Sequence, residues 1–377
     1  MLWVIFGALL TGCSEEEIAN EENFSQKAIG FNVLSNAAQT SAIPTTPSKR
    51  AKPITPDNLT STDFDVFAFT ANGTAFMGKV DTEWGHDGVH IKHNGTKWDY
   101  VNASDLRYWP NEALDFYAFN PGTVSENMLG NYMWEVKGAS QKIWYTCTDE
   151  YAENNNAKNY DVMYAIAKGQ TKATNSGIVK FNFKHILSQV VFKAKTQYDN
   201  MQVDIKEIKI RNIKLGGTFT LPATADKTGS WTLHDLGLGA LTVVQGKSIK
   251  VNSNTTATDI STATPMLNIP QTLTPWAVDG DSKTKEGADK AKQCYLAITC
   301  KIKQSGVYLL GAAEGEKEYE TIYVPFGVTW EPGKRYIYTL IFGGGYNDQG
   351  EPVLNPIQFD AETTNWADAN SDVNVQL

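Results

Sequence analysis

From about residue 60 onward the chain reads as a succession of strands. Val179, Phe181 and Phe183 alternate with Lys180, Asn182 and Lys184, and Val190, Phe192 and Ala194 follow with Val191, Lys193 and Lys195 between them. Period-two alternation is the mark of a strand with one face in a core. Val203 and Ile205, Ile208 and Ile210, then Ile213 and Leu215 continue it with slips that predict bulges. In Phe64-Asp-Val-Phe-Ala-Phe69 and Leu114-Asp-Phe-Tyr-Ala-Phe119 nearly every position is apolar. Phe116 and Ala118 face one way, and Tyr117 and Phe119 the other. Tyr336, Tyr338, Leu340 and Phe342 oppose Ile337, Thr339 and Ile341, which predicts a strand buried on both faces. Asn72-Gly73 and Asn94-Gly95 are hairpin turns, and Trp330-Glu-Pro-Gly333 is a tight turn launching the strand that follows. Helical periodicity is nearly absent. The expected class is all-β, two tandem β-sandwich domains with few short helices.

The breaks in this pattern suggest the organisation. Residues 169–177 are rich in Gly, Thr and Asn and mark the best domain division. The expected layout is a signal over 1–13, an acidic tether over 14–26, one sandwich over 27–176 and a second over 177–377. Within 27–60 the alternation of Ile29, Phe31 and Val33 predicts an early strand over 28–34. The Pro-flanked run Ser48-Lys-Arg50-Ala51 then predicts an exposed loop. Residues 246–264 and 279–292 predict long surface loops.

The first seventeen residues stand apart. An apolar run over 2–10 is too short to span a bilayer and has the length of a signal-peptide core. It ends in Leu10-Thr-Gly-Cys13, followed by Ser14, Glu15, Glu16 and Glu17. This resembles the lipobox of bacterial lipoproteins, which implies cleavage before Cys13 and lipid on its sulfur. No Lys or Arg precedes the run, a departure explained most simply by a start site placed too late. Ser14–Glu17 resembles the acidic signal of surface-exported lipoproteins. Read from charge alone, it is a solvated tether.

Composition narrows the function. A chain of 377 residues has room for two domains, and a formal charge of −9 argues against a nucleic-acid partner. Once Cys13 is set aside, Cys147, Cys294 and Cys300 remain. On one strand, Cys294 and Cys300 would lie roughly 20 Å apart, beyond disulfide reach. They read as small buried side chains beside Leu296, Ile298 and Ile302.

Several motifs in order carry a family resemblance. Lys49-Arg50-Ala51 precedes Pro53-Ile-Thr55 and the Phe64–Phe69 strand. Trp98-Asp-Tyr100 and Tyr108-Trp-Pro110 lead into Leu114–Pro121. The second half opens with the strand bearing His185, and its end carries Tyr323-Val-Pro-Phe326, Trp330-Glu-Pro-Gly-Lys-Arg-Tyr336 and Pro356-Ile-Gln-Phe359 through Trp366. Over nearly the whole chain this resembles the fimbrillin or Mfa-like family, subunits of type V pili. The resemblance implies transthyretin-like sandwiches, no cofactor and no metal. It also implies display at the cell outer membrane or in a pilus, as a structural subunit or as its tip adhesin, with other fimbrillin subunits as partners and the membrane held through lipid. A host or bacterial surface glycan or protein is a further partner class.

The resemblance also implies a maturation step. An arginine-specific protease releases the N-terminal segment, and Arg50, followed by Ala51, is the matching position. Ile29, Phe31 and Val33 then belong to the displaced strand. Its loss would leave an unpaired edge and an apolar groove, which another subunit fills by strand addition. Val353, Leu354, Ile357 and Phe359 are the expected donor anchors, with residues 373–377 assisting. Provided these residues lie outside the chain's own core, a chain ending at Gly350 should fold and fail to donate.

Other chemistry is weakly signalled. His86, His90 and His93 are spaced like a metal cluster, but Gly85, Gly88 and Gly95 oppose a helix, and a polar hairpin is expected. His185 reads as a hydrogen-bonded core or interface histidine. Trp84, Trp98, Tyr100 and Tyr145 are candidates for a sugar-stacking platform; the competing reading is a monomeric surface glycan-binding lipoprotein. The chain carries no phosphate loop, dinucleotide fingerprint or nucleophile elbow, and no acid–base pair that would argue for an enzyme.

Overall fold

The structure, a computed structural model, describes residues 27–34, 50, 53–80, 88–122, 131–138, 140–153, 155, 157–261, 265–355, 357–366 and 373–375. Among them the protein is all-β, and its only α-helix is Lys285–Lys290. That helix lies within the expected 279–292 loop and is capped by Thr284, whose hydroxyl accepts from the Gly287 N–H at 3.0 Å.

A nine-stranded sheet dominates the first half. Its order is Ile178–Phe181, Gly30–Val33, Trp98–Tyr100, Val89–His93, Asp63–Thr70, Leu114–Asn120, Met163–Gln170 and Lys184–His185, with Ala75–Met77 beside Asp63–Thr70. The sheet curls back on itself. Phe31 and Phe116 lie on strands four steps apart, a separation of roughly 19 Å in a flat sheet, yet their ring centroids are 6.4 Å apart. Phe64, Val66, Ala68, Phe116 and Ala118 line the inside of the curl with Ile29, Phe31 and Phe181. Phe67, Phe69, Tyr117 and Phe119 face the other way, into a second core. The two apolar faces seen in the sequence thus serve two cores.

That second core ties the halves together. Tyr132–Lys137 and Ser140–Thr146 join Gly216–Thr220 and Ser230–Leu233 in a four-stranded sheet, and Trp134 stacks on Phe119 at 5.1 Å. After that excursion the chain returns to the first sheet at Met163–Gln170 and makes its last strands there at Ile178–Phe181, paired with Gly30–Val33, and Lys184–His185. Sheet membership therefore does not change at residue 177.

The second half has two further sheets. In one, Ser188–Thr196 runs parallel to Lys334–Phe342, which pairs with Gln358–Asn365. In the other, Met201–Ile213 lies between Gly239–Val251 and Tyr295–Gln304, with register shifts at Ile205/Glu207 and Arg211/Ile213, where the alternation slips, and a further one at Ile208/Lys209. Val190, Phe192, Tyr338 and Leu340 share one buried cluster with Val203, Ile205, Leu296 and Ile298. Two expectations are corrected here. Residues 246–251 continue a strand rather than begin a loop, because Ile249 and Val251 pair with Ile205 and Val203. In Lys334–Phe342 only the Tyr336, Tyr338, Leu340 and Phe342 face is buried. Gly333, at φ +68°, takes the left-handed turn that launches this strand.

Candidate functional site

The first strand sits in a slot inside the nine-stranded sheet. Gly30–Val33 pairs in parallel with Ile178–Phe181 over four positions, and on its other side Phe31 pairs with Trp98. Its ends are held by the Trp109 N–H on the Lys27 carbonyl at 3.0 Å, the Ile29 N–H on the Arg107 carbonyl at 2.9 Å and the Leu34 N–H on the Phe181 carbonyl at 2.8 Å. The Tyr100 hydroxyl donates to the Ile29 carbonyl at 3.0 Å. Ile29 and Phe31 are buried and Val33 packs at the margin. The Phe31 ring stacks on Phe181, 6.0 Å away and 9° from parallel, with Tyr100 at 5.5 Å. Ile178–Phe181 has no other sheet partner among the described residues. Taking the first strand away would orphan that strand and uncover the aromatic floor.

Arg50 contradicts its expected exposure. It is 3% exposed. Its guanidinium donates to the carbonyls of Thr242 and Val243, the latter at 2.9 Å. It lies 3.5 Å from the Glu150 carboxylate and 4.8 Å from the centre of the Tyr151 ring. Desolvation lowers its pKa, opposed by Tyr151, Glu150 and Asp149. A basic residue in a Pro-flanked run reads as solvated; here two carbonyls, a carboxylate and a ring replace water. The sequence offers little warning, since the partners lie about a hundred residues or more away.

The expected donor anchors are built into the chain's own second half. Val353 and Leu354 pair with Gly345 and Gly344. Ile357 is buried in the main core, and Phe359 sits opposite Leu340 with its ring 5.9 Å from Phe326. The condition attached to a chain ending at Gly350 therefore fails, since Gln358–Asn365 pairs with Lys334–Phe342 at eight positions. Val373–Val375 differs: among the described residues it lies at the sheet edge and pairs only with residues 361–363. Cys13, Ser14, Glu15, Glu16, Glu17 and Ala51 lie outside the described residues, as do His86 and Trp84.

The other candidate residues have structural partners. Cys147, Cys294 and Cys300 are free and buried, and burial pushes the Cys147 thiol up to about 12. Of the sugar-platform candidates, Trp98 and Tyr145 are buried and Tyr100 is bonded to the first strand, so those three form no exposed platform. His185 is 2.9 Å from Asp161, with Trp366 stacked on it at 4.1 Å. His90 is clamped on both nitrogens, by Asp65 at 2.9 Å and Asp63 at 3.4 Å.

Burial opposes a charge on His90, but the hydrogen bonds and charges of Asp63 and Asp65 outweigh it and raise its pKa to about 9. The contribution is complete below 6.5, where the unfolded chain is protonated too, and is lost as pH rises through about 9. The stability of the chain should therefore fall between pH 6.5 and 9, by about 1–2 kcal/mol once solvent screening is allowed for. Urea midpoints across that range measure it, and His90→Asn should flatten the slope. An unchanged slope in His90→Asn would contradict the clamp.

Among the described residues, the strands curl around a buried first strand, and the candidate residues are engaged in packing and hydrogen bonds. The family model described as fimbrillin-like matches residues 50–366, and the chain belongs to that family. It is 25% identical over 232 residues to the fimbrium subunit Fim1C of Phocaeicola vulgatus, an alignment covering 59% of this chain and 57% of that protein's length. The solved structure of a fimbrial protein from Bacteroides vulgatus superposes with a TM-score of 0.53 at 16% identity, covering 90% of this chain and 99% of that one. The shared fold is all-β.

Proposed function

We propose that the protein is a structural subunit of a cell-surface fimbria, carried to the outer membrane as a lipoprotein on Cys13 and directed to the surface by Ser14–Glu17. It assembles by exchange of its first strand after cleavage between Arg50 and Ala51. The observation that carries this reading is the slot: a four-residue strand seated between two others, its Ile29 and Phe31 side chains filling an aromatic core. A strand from another subunit can restore the same ladder by augmentation. Head-to-tail contacts of this kind do not close, so they build a filament.

The edge position of Val373–Val375 supports the terminal residues as the donor. Val373, Val375 and Leu377 repeat the alternation of Ile29, Phe31 and Val33. Val353, Leu354, Ile357 and Phe359 could join the donation only after leaving partners in their own subunit, at much greater cost.

The test is electron microscopy of cells with and without the gene, paired with N-terminal sequencing of the surface protein. The reading predicts fibres that vanish with the gene and a chain beginning at Ala51. It also predicts incorporation of a lipid analogue that Cys13→Ser abolishes. Fibres of equal number without the gene, or surface chains beginning at Cys13 alone, would contradict the assembly reading.

A further inference from the structure

An arginine-specific protease must draw the guanidinium of the residue it cuts after into its own acidic specificity pocket. In the intact chain the Arg50 guanidinium already occupies a site of the same chemistry: the Glu150 carboxylate, the Thr242 and Val243 carbonyls and the Tyr151 ring face. We propose that this clasp is a lock on maturation, and that Arg50 is cut only from the state in which its side chain has left Glu150. The proposal rests on the reading of Arg50 as the processing position and adds the regulation of that step.

The clasp is built rather than incidental. Glu150 is itself 4% exposed, and its second oxygen accepts the Asn159 N–H at 2.9 Å. The preceding Asp149 accepts both the hydroxyl of Thr242, at 2.8 Å, and its N–H, at 3.2 Å. This fixes the residues after Cys147 against Gly239–Val251. Three distant stretches of chain therefore meet at one guanidinium: the segment carrying the first strand, the 149–151 loop and a strand of the second half. The lock can close only when the second half has folded against the first. A buried carboxylate that loses its cation is costly, so the closed state is strongly favoured. Cleavage proceeds at the rate of the open form multiplied by its population. Anything that competes for Glu150 or displaces Tyr151 would then act as a trigger.

The experiment is a time course of an arginine-specific protease on the intact full-length chain, read by intact mass and N-terminal sequencing. Glu150→Gln keeps the shape and removes the charge; Tyr151→Leu removes the ring and leaves the charge. Each should speed cutting at Arg50 on the order of ten- to hundredfold, with cutting at Arg107, Arg211 and Arg335 unchanged. Equal rates at Arg50 in the wild type and both variants would overturn the lock. So would acceleration spread alike over all four arginines, which would mean that the whole fold had loosened. Surface chains from cells that never begin at Ala51, beside a fast and selective cut in the variants, would instead remove the processing reading and leave the clasp standing.

Discussion

Phe31→Ala is expected to lower the stability of the intact chain by about 3–5 kcal/mol, the usual cost of removing a buried phenylalanine. The ring is 5% exposed and meets Phe64, Phe116, Phe181 and Tyr100 at centroid distances of 6.5, 6.4, 6.0 and 5.5 Å. Neighbours on four different strands cannot all collapse into the space it leaves. Asn32→Ala, which changes an exposed neighbour on the same strand, should stay within about 0.5 kcal/mol. Urea unfolding of the full chain reads both. The substitution should have no effect on a subunit whose first strand has been replaced by a donor, because residue 31 is then gone. That contrast separates a removable strand from an ordinary core residue.

The second large effect is at the other end. A chain ending at Gly350 should lose the fold of its second half, a loss of more than about 4 kcal/mol, and collect in the insoluble fraction. It lacks Gln358–Asn365, the partner of Lys334–Phe342, along with buried Ile357 and with Trp366, whose ring covers His185 and whose backbone N–H donates to the Gly333 carbonyl at 2.9 Å. A chain ending at Trp366 keeps all of these and should lie within about 1 kcal/mol of the full chain. If the chain ending at Gly350 is soluble and unfolds at the full-length midpoint, the C-terminal strands are not part of the subunit's own fold.

Much of this architecture is legible in the sequence, for local reasons. Alternation at Ile29, Phe31 and Val33 identifies a strand with one buried face, whereas apolar residues on both faces do not by themselves mark a strand between two cores: Phe64–Phe69 and Leu114–Phe119 serve two cores, and Lys334–Phe342 buries one face only. The rest depends on contacts distant in sequence. Alternation is the same whether a strand completes its own subunit or a neighbour, so Ile357 and Phe359 read as donors while packing within their own subunit. Nothing local tells that Ile178–Phe181 belongs with residues 30–33 rather than with the strands that follow it. The burial of Arg50 is illegible for the same reason: proline and lysine around it signal solvent, and Glu150 and Thr242 are remote.

The central claim is that the first strand is a removable occupant of a slot that another copy can fill. Its most direct test is light scattering of the full-length chain after cleavage at Arg50, compared with the same cleaved chain ending at Trp366. The account predicts growing polymers, visible as a ladder on unboiled gels, for the chain with its terminal residues, and monomers for the chain without them. Cleaved full-length protein that stays monomeric at high concentration, or polymers of equal size from both chains, would contradict it.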